Sequence, residues 1–370
     1  MRPLKIGVVG GSLAGLFSAI LLQNDGHHVR VYERSAHGLA GRGAGLVGQG
    51  DLFRVLRAIG CEHVARVGVV ARERIYFAAN GEIAERLPTP QTQISWDYLF
   101  STVASKLATD AYVIGRAIIN VKQATTGAVV TFDTGAQEEF DLVIGADGIS
   151  SVVRASVNAE PENQFAGYVA WRGLIPESDL PAEASILLDR FAFYVTKGIH
   201  ALGYLVPGPK GEMNVGDRRY NWVWYRPVSP RYRAETFTGK SGKLYDYSLP
   251  RGDLLPMRRG ALVEDAMVLL PKPFALAIEA EPAPFIQGIF DYQARNMVSQ
   301  NIALVGDSAF IVRPHTAMGV AKAAGDAMAL RAAISSHATL QNALREYEQL
   351  RLPVGNEIAA YGQALGARAL

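Results

Sequence analysis

The residues Gly10-Gly11-Ser12-Leu13-Ala14-Gly15 have the spacing of a phosphate-cradling turn. A tight glycine turn lets the backbone approach a pyrophosphate, which then sits on the positive N-terminus of the following helix. Glu33 follows about twenty residues on, where a carboxylate can accept hydrogen bonds from ribose hydroxyls. Ser12 stands at the second glycine position; serine is small, and its hydroxyl can itself donate to phosphate. Alone, this turn does not separate a flavin from a nicotinamide dinucleotide, and a plain structural turn is the alternative.

Two later carboxylates occupy comparable positions. Asp147-Gly148 follows the apolar run Leu142-Val143-Ile144-Gly145, with Ser151 and Arg154 on the next helical turn. Read by itself, Asp147 could equally be an N-cap for that turn. Asp307 follows Ile302-Ala303-Leu304-Val305-Gly306 and precedes Arg313-Pro314-His315, with Gly319 and Val320 opening a helix. A carboxylate at a strand end can hold a polyol hydroxyl, and the helix start aims unpaired N–H groups at whatever lies before it. A capped helix after a turn is the bland alternative there too.

The elements that must position these residues follow from hydrophobic pattern. A strand at 6–9, a helix through Leu22 and a strand at 28–32 form the β-turn-α-β unit of a parallel sheet. A glycine-dense loop (38–50), a helix (51–59), a hairpin around Asn80-Gly81 (74–78 and 82–87) and a helix at 96–108 come next. Strands are expected at 113–121, 129–132 and 141–144. From 165 to 287 aromatics, prolines and alternation dominate, as in Asn221-Trp222-Val223-Trp224-Tyr225, the period-2 signature of an antiparallel sheet. A parallel-type strand returns at 302–305, before an alanine-rich helix from Gly319. The expected fold is therefore α/β: a Rossmann-like domain built from residues 1–164 and 288–370, with an antiparallel-sheet substrate domain, 165–287, inserted between them.

Composition removes other classes. The chain has 370 residues, 49% hydrophobic and 19% charged, with a formal net charge of +2 and no run of Lys or Arg longer than two. That leaves no electrostatic footprint for nucleic acid or an anionic membrane. Arg218-Arg219-Tyr220-Asn221-Trp222 interleaves bases with aromatics, but alternation sends them to opposite sheet faces. The single cysteine, Cys61, excludes an intramolecular disulfide and any multi-cysteine metal site. No apolar stretch reaches the ~18–20 residues of a membrane span, and residues 4–9 read as a strand rather than a secretory signal. The expectation is a cytoplasmic protein without metal.

Together the three segments resemble the single-component FAD-dependent aromatic hydroxylases, the family of the 4-hydroxybenzoate and salicylate hydroxylases, over essentially the whole chain. The glycine turn, Val143-Ile144-Gly145-Ala146-Asp147-Gly148 and Val305-Gly306-Asp307-Ser308-Ala309 occur in the family's order and spacing. The Asp147 segment distinguishes this family from ordinary Rossmann dehydrogenases. Val8-Val9-Gly10-Gly11-Ser12, Ala166-Gly167-Tyr168-Val169-Ala170-Trp171-Arg172-Gly173 and Arg313-Pro314-His315 are most similar to the hydroxypyridine-hydroxylating members.

The resemblance implies non-covalent FAD. Glu33 should meet the ribose, Asp147 with Gly148 should lie near the pyrophosphate, Asp307 after Gly306 should take the ribitol, and Gly319 and Val320 should meet the pyrimidine edge of the ring. Arg42, between Gly41 and Gly43-Ala44, should lie beside the cofactor. Many relatives place an arginine near residues 96–99; here Trp96 stands there, and Arg34 is the substitute on offer.

The implied reaction uses NADH or NADPH to reduce FAD. O₂ then forms a flavin C4a-hydroperoxide whose distal oxygen attacks a small aromatic or N-heteroaromatic substrate of the phenol or hydroxypyridine type, with water excluded. Epoxidation, Baeyer–Villiger oxidation or reduction on the same fold is the alternative, and a homodimer is compatible with the family. For handling the substrate proton the candidates are His315 beside Pro314, then His200, Tyr194, Tyr204 and Tyr225; each could instead be a satisfied core residue.

Overall fold

The computed structural model describes residues 1–39, 43, 45–160 and 162–369. The apolar N-terminal run forms the strand Lys5–Val9, at the heart of a six-stranded sheet. His28–Glu33 and then Tyr112–Ile114 extend the sheet on one side, and Leu142–Gly145 and Ile302–Leu304 on the other, all in parallel. The edge strand Val298–Ser299 is antiparallel. A strand covered by helices can be apolar throughout, as Leu142–Gly145 is, every residue of it buried. The helices Leu13–Asn24 and Gly319–Ser336 pack together against this sheet, and the long helix Leu340–Ala369 packs on the second of them.

The alternating middle of the chain builds most of a nine-stranded sheet around Gln164–Pro176, Arg190–Thr196, Ile199–Val206, Arg219–Pro227 and Phe285–Gln293. Two further strands come from the hairpin Glu73–Phe77 and Ile83–Leu87, whose first strand pairs in parallel with Arg190–Thr196. The large sheet thus recruits a piece of the segment 1–164. One face carries Trp171, Tyr194, Tyr220, Trp222 and Trp224 and is sealed by the helices Pro256–Leu269 and Lys272–Glu279. Those helices lie inside the stretch whose pattern suggests only strands. The other face carries His200, Leu202, Tyr204, Val223 and Tyr225 and looks toward the parallel sheet's loops.

One expected strand is two. Residues 113–121 split at Gly115, whose φ of +66° turns the chain out of the parallel sheet. Ile118–Gln123 then starts a separate antiparallel meander with Ala128–Phe132 and Gln137–Phe140.

Candidate active site

The first glycine turn is shaped by contact as well as by dihedral angle. Gly10 has φ +103°, and a Cβ there would lie 2.4 Å from the Ala146 carbonyl oxygen; one at Gly15 would lie 2.0 Å from the Gly10 oxygen. Only glycine lets the helix start this close to the sheet. Ser12 is the N-cap of Leu13–Asn24 in extended geometry, and its hydroxyl makes no capping bond, so the helix N-terminus and that hydroxyl both stay available. Glu33 is buried behind the turn, accepting from the Gly11 N–H at 3.0 Å and the Ser35 N–H at 2.9 Å. A carboxylate has about four acceptor sites, so two remain for hydroxyls. Arg34 is exposed. Arg42 and Ala44 lie outside the described residues. A Cβ on Gly43 would sit 2.2 Å from the Trp96 ring, which itself stacks on Phe100 at 4.9 Å, so Gly43 rests on Trp96.

The second and third segments are stitched to each other. Asp147 accepts from the Ser151 hydroxyl at 2.6 Å and from the Val152 and Val153 N–H groups at 2.7 and 3.3 Å. Its carboxylate thus ties down the start of the turn Val153–Ser156 from five residues upstream, while the turn Gly148–Ser150 that Asp147 itself precedes receives no side-chain cap from it. Burial pushes its carboxyl above the usual range, with Ser151 and those N–H groups pulling the other way. Gly148, at φ +71°, has open space where a side chain would be. Arg154, itself buried, donates to the carbonyls of Ser308 (2.9 Å), Asp307 (3.0 Å) and Gly148 (3.3 Å), and its guanidinium lies 3.8 Å from the Tyr292 ring centre. Gly306, φ +62°, leaves no room for a Cβ, which would come within 2.8 Å of the Ala14 methyl; this contact joins the third segment to the first.

Asp307 is enclosed by protein on several sides yet open to the cleft, and among the described residues no side chain or N–H bonds its carboxylate. Its enclosure raises its pKa, while Lys322 and Arg154 lower it. Twelve residues later the helix Gly319–Ser336 begins without a side-chain cap, with open space over Gly319 and a half-buried Val320 beside it. Two uncapped helix starts, a free carboxylate and a buried carboxylate behind a glycine turn form a donor and acceptor set that suits a dinucleotide.

Opposite, the structure brings His200, Tyr225 and His315 together. His200 faces Tyr225 across neighbouring strands, their rings 5.1 Å apart. His315, in the turn Pro314–Thr316, lies 4.2 Å from Tyr225 and 5.3 Å from His200 by ring centres. Burial drives both imidazoles toward neutrality, to a pKa of about 4 for His200 and about 3 for His315, where His200 and Arg313 add to the effect. His200 Nδ1 and Nε2 and His315 Nδ1 are buried and unpartnered among the described residues. Tyr204, also on this face, hydrogen-bonds the Gly45 carbonyl at 3.2 Å.

Tyr194 does not join them. It pairs with Ala201, one residue out of step with His200, so strand alternation sends it to the helix-covered face among Trp222 and Trp224. Tyr168 was not anticipated. Its hydroxyl lies 2.9 Å from His315 Nε2, and Arg313, held by Asp291 at 2.6 and 2.9 Å, reaches the same oxygen at 3.5 Å. Tyr168 sits in a block that carries the resemblance, but nothing local marks it as the partner of His315, which follows 147 residues later. The loop that carries His315 is fixed further by Gln49, which donates to the Ala317 carbonyl at 2.8 Å, and Ala317 adopts a left-handed φ of +53°.

No helix among the described residues is long and apolar enough to cross a membrane, and no cluster of three potential metal ligands occurs among them. The FAD binding domain family matches residues 4–189, and an FAD binding domain-like family matches 165–291. The 2,6-dihydroxypyridine 3-monooxygenase of Paenarthrobacter nicotinovorans is 30% identical over 356 residues, 95% of this chain and 88% of the relative. The 6-hydroxynicotinate 3-monooxygenase of Pseudomonas fluorescens is 26% identical over 344 residues, 87% of this chain and 80% of its own. Among solved structures, 2,6-dihydroxypyridine-3-hydroxylase from Arthrobacter nicotinovorans superposes with a TM-score of 0.93 at 28% identity, covering 100% of this chain and 93% of that one. With its glycine turns, its stitched Asp147 and Asp307 segments and this likeness along its whole length, the chain belongs to the FAD-binding family of single-component aromatic hydroxylases and is an FAD-dependent monooxygenase.

Proposed function

We propose that the protein hydroxylates a hydroxypyridine- or phenol-type ring held against the cluster that His200, Tyr225 and His315 form where the large sheet meets the 314–316 turn. The observation that carries this reading is the group of buried imidazole nitrogens without protein partners among the described residues. Buried polar atoms are costly unless paired, and a flat ring bearing hydroxyl and ring-nitrogen groups would pair them. The likeness to enzymes named for dihydroxypyridine and hydroxynicotinate supports the same substrate class.

FAD, once bound, would supply the redox chemistry: acceptance of hydride from NADH or NADPH and activation of O₂ for oxygen transfer. We assign the FAD side to residues 1–164 and 288–370, with Gly10–Gly15, Glu33, Asp307 and the Gly319 helix start as its main contacts, and the substrate side to the sheet of 165–287. His315 handles the substrate proton. When its Nε2–H donates to the Tyr168 oxygen, Nδ1 is left as an acceptor for the substrate hydroxyl; a weakly basic imidazole passes a proton on rather than storing it. Tyr225 and His200 flank the ring, and the apolar neighbours Leu202, Val223 and Phe193 exclude water. A cytoplasmic setting suits a chain whose one cysteine is buried and unpaired.

The test is an NADH-oxidation screen of hydroxypyridines and hydroxybenzoates under oxygen-18 gas, with H₂O₂ measured in parallel. Substrate-stimulated oxidation with label in the product is expected. Stimulated oxidation that leaves the product unlabelled would replace hydroxylation by another flavin chemistry, and no stimulation by any member of either class would overturn the substrate assignment.

A further inference from the structure

The helix Gly319–Ser336 carries a pair of charges, one turn apart, that the proposed chemistry leaves unused. Lys322 and Asp326 have side chains 0% and 2% exposed. Lys322 Nζ donates to the Gly306 carbonyl at 2.7 Å and lies 3.2 Å from Asp326 Oδ2. The same Oδ2 accepts from the Gly306 N–H at 3.0 Å. One ion pair therefore grips Gly306 by both its N–H and its C=O, at the left-handed residue immediately before Asp307. Arg351 closes the group from the terminal helix, donating from Nε to Asp326 Oδ1 at 2.8 Å.

The charges do not balance. Two cations meet one carboxylate, leaving an excess of one positive charge. Of the charges further out, Asp307 faces Lys322 more than Arg154, and Arg154 faces Asp147 more than Asp307, so among the described residues the surplus of the three is met only by Asp307 at the cleft. A buried ion pair is seldom worth more than well-packed apolar side chains, and a surplus buried charge is worse. Simple packing under a turn would not select this arrangement. Hydrogen bonds to Gly306 alone would not need a net charge either.

We propose that Lys322 and Asp326 are positioning residues with an electrostatic role: they hold the Asp307 turn and, with Arg351, set one surplus positive charge behind the cofactor site, favouring the reduced form of FAD, which is the more negative one. The proposal rests on the reading that FAD lies against the 306–319 segment. A unit charge in a partly buried setting acts over several ångströms with an energy equivalent to roughly a tenfold change in an equilibrium.

Charge and structure are separable by sign. Lys322→Met removes one positive charge, Asp326→Asn removes one negative charge, and the double variant restores the original sum. On FAD-loaded protein titrated against a reference dye, Lys322→Met should shift the reduction equilibrium roughly tenfold toward oxidised flavin, and Asp326→Asn should shift it the opposite way by a similar factor. The double variant should return to within about threefold of the parent while remaining less heat-stable than it. Single variants that move the equilibrium in the same direction, or leave it unmoved, would show a structural clamp only and overturn the proposal. If Lys322→Met does not fold, the sign given by Asp326→Asn decides. Asp307→Ala serves as the control for the underlying reading: if it weakens FAD binding while the two charge variants leave the equilibrium unmoved, the inference alone fails; if FAD affinity ignores Asp307→Ala as well, the placement of the cofactor fails with it.

Discussion

His200 and His315 are neutral bases in a protein whose unfolded chain would carry them with a pKa near 6.5. Their folded pKa values are depressed, so the stability they confer is fully present above about pH 6.5 and is lost as pH falls toward 4, because the unfolded chain takes up protons that the native one refuses. His200→Phe should therefore flatten the acid limb of the stability curve, recovering on the order of 1–2 kcal/mol at pH 5 relative to the parent in urea titrations. An unchanged slope between pH 6.5 and 4.5 would mean that the imidazole is not buried as described. Tyr168→Phe leaves His315 Nε2 without its partner. It should lower product formed per NADH consumed several-fold while FAD content stays constant, and a variant that loses FAD with normal coupling would put Tyr168 on the cofactor side instead. For Asp307→Ala, loss of a charged acceptor is expected to cost about 1–3 kcal/mol of FAD binding, or roughly 5- to 150-fold, measured by dilution and flavin fluorescence.

At the scale of elements, the glycine turns are legible in sequence because their chemistry is local: Gly10, Gly148 and Gly306 each take φ values that favour glycine. The roles around them are less so. Asp147 turns out to tie down the turn Val153–Ser156, and the link that matters in three dimensions, Arg154 to the Asp307 turn, spans 153 residues with no sequence pattern to announce it. In the middle sheet, alternation reveals strands but not which side faces the site. Tyr220, Trp222 and Trp224 lie under helices while Asn221, Val223 and Tyr225 face the loops, and both rows are buried. With neither face wet, polarity cannot reveal the register, so Tyr194 and His200 look equivalent until pairing is known. The terminal helix, which no motif announces, supplies another contact. A Cβ on Gly366 would come 2.6 Å from the Tyr168 hydroxyl and 2.7 Å from Arg313. Gly366→Ala should therefore disturb the Tyr168–His315 bond from outside the site, reducing coupling at least about twofold with little change in FAD affinity. Steady-state coupling beside a flavin titration checks this; unaltered coupling would mean that the helix end yields.

For the whole molecule, the order of the strands in the parallel sheet carries a consequence for how the protein comes into being. Leu142–Gly145 must pair with Ile302–Leu304, the strand that leads directly into the Asp307 turn. A ribosome adding about 5–20 residues per second would present the second strand roughly 8–32 seconds after the first. Throughout that interval the edge of Leu142–Gly145 is unpaired and wholly apolar, and the intervening sheet has had time to begin folding. Nascent chains halted before residue 300 should thus be caught by chaperones and cleaved readily by protease across 128–145, becoming resistant only when the return strand and its helix have emerged. A cofactor that leans on Asp307 as proposed would then lock a fold that only the last fifth of the chain completes.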